Sequence, residues 1–363
     1  MSETLSVHPE LGREVPVAGI ESELKKLWAE DEARTNASLI NLAIYSEIPD
    51  SLEENSKAVR ELTREHACRA ILISMDFDAP DASIRAWVTA HCHLHHGHKS
   101  VCCEQLAFAL TGRATGRLHN TVFAHLDSDL PLTLWWQGEL SWVFDDRFSR
   151  VVDRFVFDSS VWADPSASFG KINAAIEARD SLVVQDLEWT RSFQIRVSTA
   201  ALFDDPVALG ALGAIHEVVI RHHSEHRVAA LQLLAWLVVQ AGWRDAEELA
   251  LRDDRASKGV QSFGFESKAG QSITARVEAC DEGPAIQLLS LKAGDVTIEV
   301  SRCAGANYLC RHLSAPGHCI EDPGPVDTDD RAGLVGEQLS RGGKNSLYRK
   351  ILPRFLGLLS AAP

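Results

Sequence analysis

The sequence predicts an α/β fold, with a mixed-sheet, Rossmann-like N-terminal domain and a smaller α+β C-terminal domain. Up to Met75, helical and strand-like hydrophobic patterns alternate, as they do in α/β sheets. An alternating segment and a second strand-like segment then indicate an antiparallel portion of the sheet. After Gly259, short strands separated by turn residues replace this rhythm. A chain of 363 residues exceeds the usual size of one core. We therefore expect domains at 1–185 and 186–363.

The N-terminal elements follow from hydrophobic spacing. "IESELKKLWAE" (20–30) places its apolar residues on one helical face. The elements that follow are the strand 37–47, the helix 51–66, the strand 67–75, and a hairpin of strands 83–94 and 101–110 with Gly97 in its turn. Next come a helix within 111–126, a strand 132–137 between Pro131 and Gly138, a strand within 150–165 and a helix 166–180.

The second half has a different pattern. Residues 186–206 indicate one helix ended by Pro206, and "VAALQLLAWLVVQAGW" (228–243) is a helix apolar on nearly all sides, hence buried. The other predicted elements are strands within 214–225, 271–279, 285–291 and 296–303, an acidic loop at 321–330, and two final helices at 330–340 and 345–359.

Charge and hydropathy argue against nucleic-acid binding, secretion and membrane insertion. The net charge of -15 disfavours binding to duplex nucleic acid. The N-terminus lacks the pattern of a secretory signal, and the apolar run 228–239 is shorter than the ~20 residues that a bilayer requires. We expect a cytoplasmic protein with no membrane contact. In that setting its eight cysteines are expected to be buried thiols and not disulfides.

The histidine-rich hairpin is the first candidate for chemistry. "HCHLHHGHKSVCCE" offers zinc-ligand side chains, namely His91, His93, His95, His96, His98, Cys102 and Cys103. Strand alternation places His91 and His93 on one face and Cys92 on the other, and no CxxC or HxxxH-type pair organises the set. A solvated face with a polar turn is therefore the preferred interpretation. A metal-dependent enzyme built on His91–Cys103 stays as an alternative.

"GRATGR" (112–117) is the second candidate. Its backbone N–H groups, with Arg113 and Arg117, are suited to an anion. Neither G-x-G-x-x-G nor G-x-x-x-x-G-K-[ST] is present, so helix caps and turns explain the segment more simply. A sensor of sugar phosphates or nucleotides remains a further alternative. G-x-S-x-G and H-E-x-x-H are also absent, and we predict no catalytic, cofactor-binding or metal residues.

The tryptophan pair in "LPLTLWWQGEL" (130–140) is the third candidate. Trp135 and Trp136 lie on opposite faces of a strand, so one enters the core. The other lies near the carboxyl end of the strand, where open α/β sheets bind ligands. Tryptophan is also enriched at interface hot spots. Core packing, a ligand platform and partner contact remain open for this pair.

Three segments together resemble the OpcA family of glucose-6-phosphate dehydrogenase assembly proteins: "SDLPLTLWWQG" (128–138), "DRFVFDSS" (153–160) and "DLEWTR" (186–191). "GIESELKKLW", "ACRAILI", "CCEQLAF" and "LLAWLVVQAGW" fit the same family in the same order. The cysteine-bearing segment 303–319 is outside this shared pattern, and we expect scattered buried thiols there.

The resemblance implies an accessory protein that is not an enzyme and needs no cofactor. Such a protein binds glucose-6-phosphate dehydrogenase and promotes its active oligomer, which supports NADPH production in the oxidative pentose phosphate pathway. It also implies a role in the fold or in partner contact for the motif residues Leu134, Trp135, Trp136, Gly138, Arg154, Asp158, Ser159, Asp186, Trp189 and Arg191.

Overall fold

The computed structural model describes residues 7–29, 34–36, 38–95, 99–246, 259–303, 305–343 and 345–361. The chain forms two compact units. The first comprises Met1–Ala163, Lys171–Gln185 and Val335–Gly342, and the second comprises Asp164–Gly170, Asp186–Leu334 and Gly343–Pro363. The boundary of folding domains at residue 185 stays a prediction.

The first sheet contains the strands β1 (Val7–His8), β2 (Gly12–Val15), β3 (Arg34–Asn36), β4 (Ile40–Ser46), β5 (Cys68–Asp76), β6 (Ser83–His95), β7 (Lys99–Thr111), β8 (Leu132–Gln137), β9 (Arg154–Phe157) and β10 (Val183–Asp186). Their order is β1-β2-β6-β7-β5-β4-β8-β9-β10, and β3 pairs with β7. From β7 to β9 the neighbours run parallel, whereas β6 is antiparallel to β7 and β2 to β6. This is the mixed sheet that the sequence predicts.

The chain order of the parallel strands defines the topology. From β4 the chain moves outward through β5 to β7, and it then crosses back to place β8, β9 and β10 on the other side of β4. This is the doubly wound order 3-2-1-4-5-6 of Rossmann folds. The α-helices that precede β10 in the sequence are α1 (Ile20–Ala29), α2 (Ser51–Leu62), α3 (Asp146–Ser149) and α4 (Pro165–Ala178). The Rossmann-like prediction is confirmed.

The helix expected within 111–126 is absent as an α-helix. Short 3-10 and π turns occupy Gly112–His125 instead. Gly112 has a φ of 51°, and a Cβ there would lie 2.8 Å from the carbonyl oxygen of Ala79. Because of this close approach and the positive φ, only glycine fits the tight turn that directly follows β7.

The predicted hairpin is confirmed as β6 and β7, and its Gly97 turn lies outside the described residues. Cys92 lies directly opposite Cys102 with a Cα–Cα distance of 4.1 Å, and the two form a disulfide. The expectation of thiols alone was therefore wrong. Strand register brings these sulfurs together, and sequence spacing does not reveal it. Cys303 and Cys319 are exposed, so the expected burial of the tail cysteines was wrong for both.

The second sheet contains β11 (Glu217–His223), β12 (Arg244–Asp245), β13 (Val260–Glu266), β14 (Ser272–Cys280), β15 (Ile286–Ala293), β16 (Val296–Ser301), β17 (Leu309–Ala315) and β18 (His318–Gly324). Their order is β12-β13-β14-β11-β15-β16-β17-β18, and β11 and β14 are parallel within an otherwise antiparallel sheet. The remaining helices are α5 (Leu187–Thr190), α6 (Phe193–Leu202), α7 (Pro206–Ala211), α8 (Arg227–Ala241), α9 (Arg331–Ser340) and α10 (Ser346–Ala361). As predicted, α8 is buried from Val228 to Val238.

Two sequence expectations in this half were wrong. Residues 186–206 form two helices, and Pro206 begins α7 instead of ending a helix, because Asp205 caps the backbone N–H groups of Val207 and Ala208. Proline favours the first helical turn, where its missing N–H costs nothing. The acidic segment 321–330 is not all loop, since its first four residues belong to β18.

Candidate functional site

The strand order reverses between β4 and β8, and doubly wound sheets bind ligands in the crevice at this point. In Rossmann enzymes the loop after the first strand is rich in glycine, so that its backbone can approach a pyrophosphate. Here that loop reads "EIPD" (47–50), between β4 and α2. It contains no glycine and carries two acidic side chains, Glu47 and Asp50.

Internal hydrogen bonds already use the polar groups of this crevice. The Tyr45 hydroxyl donates to Glu47 at 2.7 Å, and the Ser141 hydroxyl donates to the same carboxylate. Burial raises the pKa of Tyr45, so its hydroxyl keeps its proton. Asn55 at the start of α2 and Gln137 at the end of β8 exchange two side-chain hydrogen bonds, at 3.0 and 2.7 Å. The residues present do not fit a dinucleotide pyrophosphate, because they oppose its charge with carboxylates and offer it no glycine-lined approach.

The tryptophan pair lies beside this crevice, and both rings are buried. Trp135 is 4% exposed and Trp136 is 1% exposed. The Trp136 indole N–H donates to the carbonyl oxygen of Glu139 at 2.8 Å. Of the three interpretations left open by the sequence, core packing is the one that this burial supports. A ligand platform on either ring is excluded by the same burial.

Trp142 differs from this pair. It is 72% exposed, and its ring centroid lies 5.3 Å from that of Phe77, which follows β5. Ile48, in the loop after β4, is 48% exposed. These three residues follow the carboxyl ends of neighbouring strands, and we call them the aromatic edge. Sequence patterns did not single out Trp142, although its position after the polar Ser141, four residues beyond Gly138 at the end of β8, could have indicated an exposed ring.

The segment "GRATGR" borders a cleft of about 410 Å³ next to the end of β7. Arg113 and Arg117 line it together with Val17, Ala82, Ser83, Ile84, Ala114 and Thr121. Both guanidinium groups are exposed, and neither forms an ion pair with the described residues. The cleft is therefore lined by two cations and by apolar side chains, a combination suited to a phosphate attached to an organic group.

The histidine-rich hairpin is organised by hydrogen bonds. His91 contacts Gln105 at 2.8 Å, and His93 contacts Thr63 at 2.9 Å. Burial lowers the pKa of both rings. Where side chains are described, no group of three or more His, Cys, Asp or Glu residues is placed to hold a metal ion. His96, His98 and the side chain of His95 lie outside the described residues.

A second pair of sulfurs lies close to the disulfide. A hydrogen bond from Cys68 lowers the pKa of Cys103 to about 7, and the same contact raises the pKa of Cys68. Both side chains are fully buried, so this thiol pair has no access to a substrate in the fold described.

The other motif residues are mostly enclosed. Leu134, Asp158, Ser159, Asp186 and Trp189 are at most 5% exposed and Arg191 is 9% exposed. Gly138 ends β8 with a φ of 85°. Arg154 donates from Nη1 to the carbonyl oxygens of Gln338 and Arg341, at 3.5 and 3.2 Å. Their role in the fold or in partner contact stays a prediction, and burial favours the fold.

"DLEWTR" forms a buried polar cluster in the second unit. Glu188 accepts hydrogen bonds from Arg191 at 2.8 Å and from the backbone N–H of Ala229 at 3.0 Å, and it contacts His226 at 2.7 Å. Asp186 accepts from Gln232, inside the apolar helix α8, at 2.7 Å. The cluster therefore fixes the first turn of α8 and accepts a hydrogen bond from the amide nitrogen of Gln232, its one buried amide side chain.

Comparisons with solved structures define the class of the fold. A variant of a 3-ketoreductase from Actinomadura kijaniata, solved with TDP-benzene and NADP, has a TM-score of 0.51 at 10% identity, covering 89% of this chain and 96% of that chain. An open conformation of the same enzyme has a TM-score of 0.51 at 12% identity, with the same coverage. At such low identity the likeness shows a shared Rossmann-like α/β fold and nothing about activity.

Sequence comparison gives the family. Residues 59–174 match the family model of the glucose-6-phosphate dehydrogenase subunit N-terminal domain, and residues 182–352 match that of its C-terminal domain. The chain therefore belongs to the OpcA family of glucose-6-phosphate dehydrogenase assembly proteins. The OxPP cycle protein OpcA of Synechocystis sp. is 22% identical over 319 residues, which are 84% of this chain. The match spans 66% of that relative, just under two thirds of its length.

Proposed function

We propose that this protein is a non-catalytic accessory factor of the oxidative pentose phosphate pathway, located in the cytoplasm, that binds glucose-6-phosphate dehydrogenase and promotes its active oligomer. The crevice between β4 and β8 carries the proposal. In a chain of the assembly family, the position where Rossmann enzymes hold their dinucleotide has Glu47 and Asp50 instead of a glycine-rich loop. A retained fold without a fitting cofactor site supports a binding function over a redox reaction.

The mechanism is a shift of population. A protein that binds the competent oligomer better than other states favours that oligomer, by an amount set by its differential affinity. At a free concentration of about 100 times its dissociation constant, such a factor contributes about 2.7 kcal/mol. This corresponds to an increase of about 100-fold in the equilibrium constant for the competent state.

The test mixes the purified protein with the dehydrogenase from the same organism. We expect higher dehydrogenase activity and a larger mass in light scattering. Unchanged activity and mass, with both proteins at micromolar concentration, would contradict the proposed function. Calorimetric titration of the protein alone with NADP should give no binding heat, and saturable binding would contradict its non-catalytic character.

The cleft beside "GRATGR" favours a second candidate function, the sensing of a phosphorylated metabolite. The observation behind it is that Arg113 and Arg117, which form no ion pair within the described part of the chain, line the same cleft of about 410 Å³. Glucose 6-phosphate should raise the melting temperature of the protein without any dehydrogenase, and the variant Arg113→Gln/Arg117→Gln should lose this effect. Arg147→Gln, at another exposed arginine, is the matched control. An equal shift in all three proteins would exclude the cleft as the binding site.

A further inference from the structure

We propose that the aromatic edge, formed by Trp142, Phe77 and Ile48, is the surface that docks on the dehydrogenase. The partner site that fits it is an apolar pocket with a rim of basic side chains. This inference rests on the proposed function and adds the contact surface to it.

Exposure is the first argument. Trp142 is 72% exposed, while the other eight tryptophans of the chain are buried or half-buried. Exposed large apolar side chains that adjoin one another mark interaction sites more often than scattered ones do. Trp142 adjoins the half-buried Phe77, and Ile48 follows the neighbouring strand. A tryptophan at the centre of such a surface is the residue most often found at hot spots.

The rigidity of the loop is the second argument. Leu140, Val143 and Phe144 are each less than a tenth exposed, so they anchor the chain on both sides of Trp142. The Ser141 hydroxyl bonds to Glu47 and also accepts from the backbone N–H of Val143 at 3.2 Å. Because the loop is already ordered, binding through Trp142 loses little conformational entropy.

Charge identifies the partner chemistry. Exposed carboxylates follow the same strand ends: Asp50 after Ile48, Asp76 and Asp78 on either side of Phe77, and Asp145 and Asp146 after Trp142. The chain as a whole has a net charge of -15. Although the exposed Arg147 follows these carboxylates, the rim is predominantly acidic, and such a rim around an apolar centre selects a partner with the opposite sign. A basic rim around an apolar pocket on the dehydrogenase is complementary, whereas a second copy of this acidic surface is repelled.

The test compares Trp142→Ala with Tyr308→Ala, which removes another exposed aromatic side chain, in the second unit (51% exposed). Trp142→Ala should raise the dissociation constant for the dehydrogenase at least about 30-fold, the range of a hot spot. Its melting temperature should stay within about 2 °C of the unchanged protein. Tyr308→Ala should bind as the unchanged protein does.

Charge is tested separately. Raising the salt concentration from about 50 to about 300 mM should weaken the complex, and Asp76→Asn/Asp78→Asn should reduce that dependence. If Trp142→Ala binds and activates like the unchanged protein, the proposed surface is wrong while the accessory function stands. If the unchanged protein itself does not bind the dehydrogenase, the accessory function fails first. If Trp142→Ala instead changes the mass of the protein alone, the surface joins copies of this chain and the proposal is overturned.

Discussion

Trp136 is surrounded by aromatic rings. It stacks on Tyr45 at 4.1 Å between centroids and meets Phe148 edge-on at 5.6 Å. Phe144 and Phe155 both lie at 6.2 Å. A tryptophan packed in this way contributes its buried area and several favourable ring contacts.

We expect Trp136→Ala to lower the free energy of unfolding by about 3–5 kcal/mol, because it leaves a large cavity in the core. Trp142→Ala removes the same side chain from an exposed position and should change this free energy by no more than about 0.5 kcal/mol. Urea unfolding of both variants measures the difference. Equal losses would show that the burial described for these two residues is wrong.

At the scale of elements, Glu188 joins α5 to the first turn of α8. Its carboxylate is fully buried and is bonded to Arg191, His226 and the N–H of Ala229. A carboxylate at a helix N-terminus satisfies a free N–H and favours the helix dipole. The motif that resembles the assembly family thus has a structural explanation that needs no partner.

Glu188→Ala should therefore destabilise the protein by about 3–5 kcal/mol, since it breaks the buried ion pair between Glu188 and Arg191. Glu225→Ala is the matched control: its side chain is 79% exposed and lies 4.0 Å from His223. That control should cost less than about 1 kcal/mol. Thermal unfolding checks both, and a similar small effect in each would contradict the capping role.

The hairpin of β6 and β7 gives a further prediction for an element. The Cys92–Cys102 disulfide closes a loop with a sequence separation of 10 residues. In the chain-entropy model such a loop stabilises the folded state by about 2–3 kcal/mol. Unfolding with and without reductant should show this difference, and Cys92→Ser should lose it. Equal stability in both conditions would contradict the cross-link.

At the scale of the whole molecule, five histidines share one direction of pKa shift. Burial lowers the pKa of His91, His93, His119, His125 and His222. In the unfolded chain these rings take up a proton near pH 6.5, whereas in the folded protein they take it up only at a lower pH. The unfolded state then binds more protons, so stability falls as pH drops below about 6.5 until each folded pKa is reached.

We expect the free energy of unfolding to be lower at about pH 5.5 than at about pH 7.5, with at most about 1.4 kcal/mol per pH unit from each histidine. The hydrogen bond to Lys292 is the main cause of the lowered pKa of Glu217. Its protonation also destabilises the folded state on acidification, but only as the pH falls to the range where carboxyl groups ordinarily titrate. His91→Gln should reduce the dependence. Stability that is constant or rises on acidification would contradict the buried neutral histidines.

Sequence patterns predicted the elements that local chemistry determines. The alternation in β6, the strand-like pattern of β7 and the apolar surface of α8 were sufficient to predict the hairpin and this helix correctly. Pairings between distant residues could not be predicted: Cys92 faces Cys102 through strand register, and Trp135 and Trp136 are both covered because elements pack on both faces of β8. The role of Trp142 depends on where its loop lies, which periodicity does not indicate. Pro206 was misread because its effect depends on the cap that precedes it.

The exposure of Trp142 also means that the intrinsic tryptophan fluorescence of the protein reports on binding at the aromatic edge. Seven of the nine indoles are buried and Trp28 is half-buried, so an aqueous quencher such as iodide reaches mainly Trp142, and the red edge of the fluorescence spectrum belongs largely to it. Any molecule that covers the aromatic edge would shift that emission to the blue and protect it from the quencher. A ligand in the cleft beside Arg113 would leave both properties unchanged. Unlabelled protein in a cuvette therefore suffices to distinguish the two surfaces.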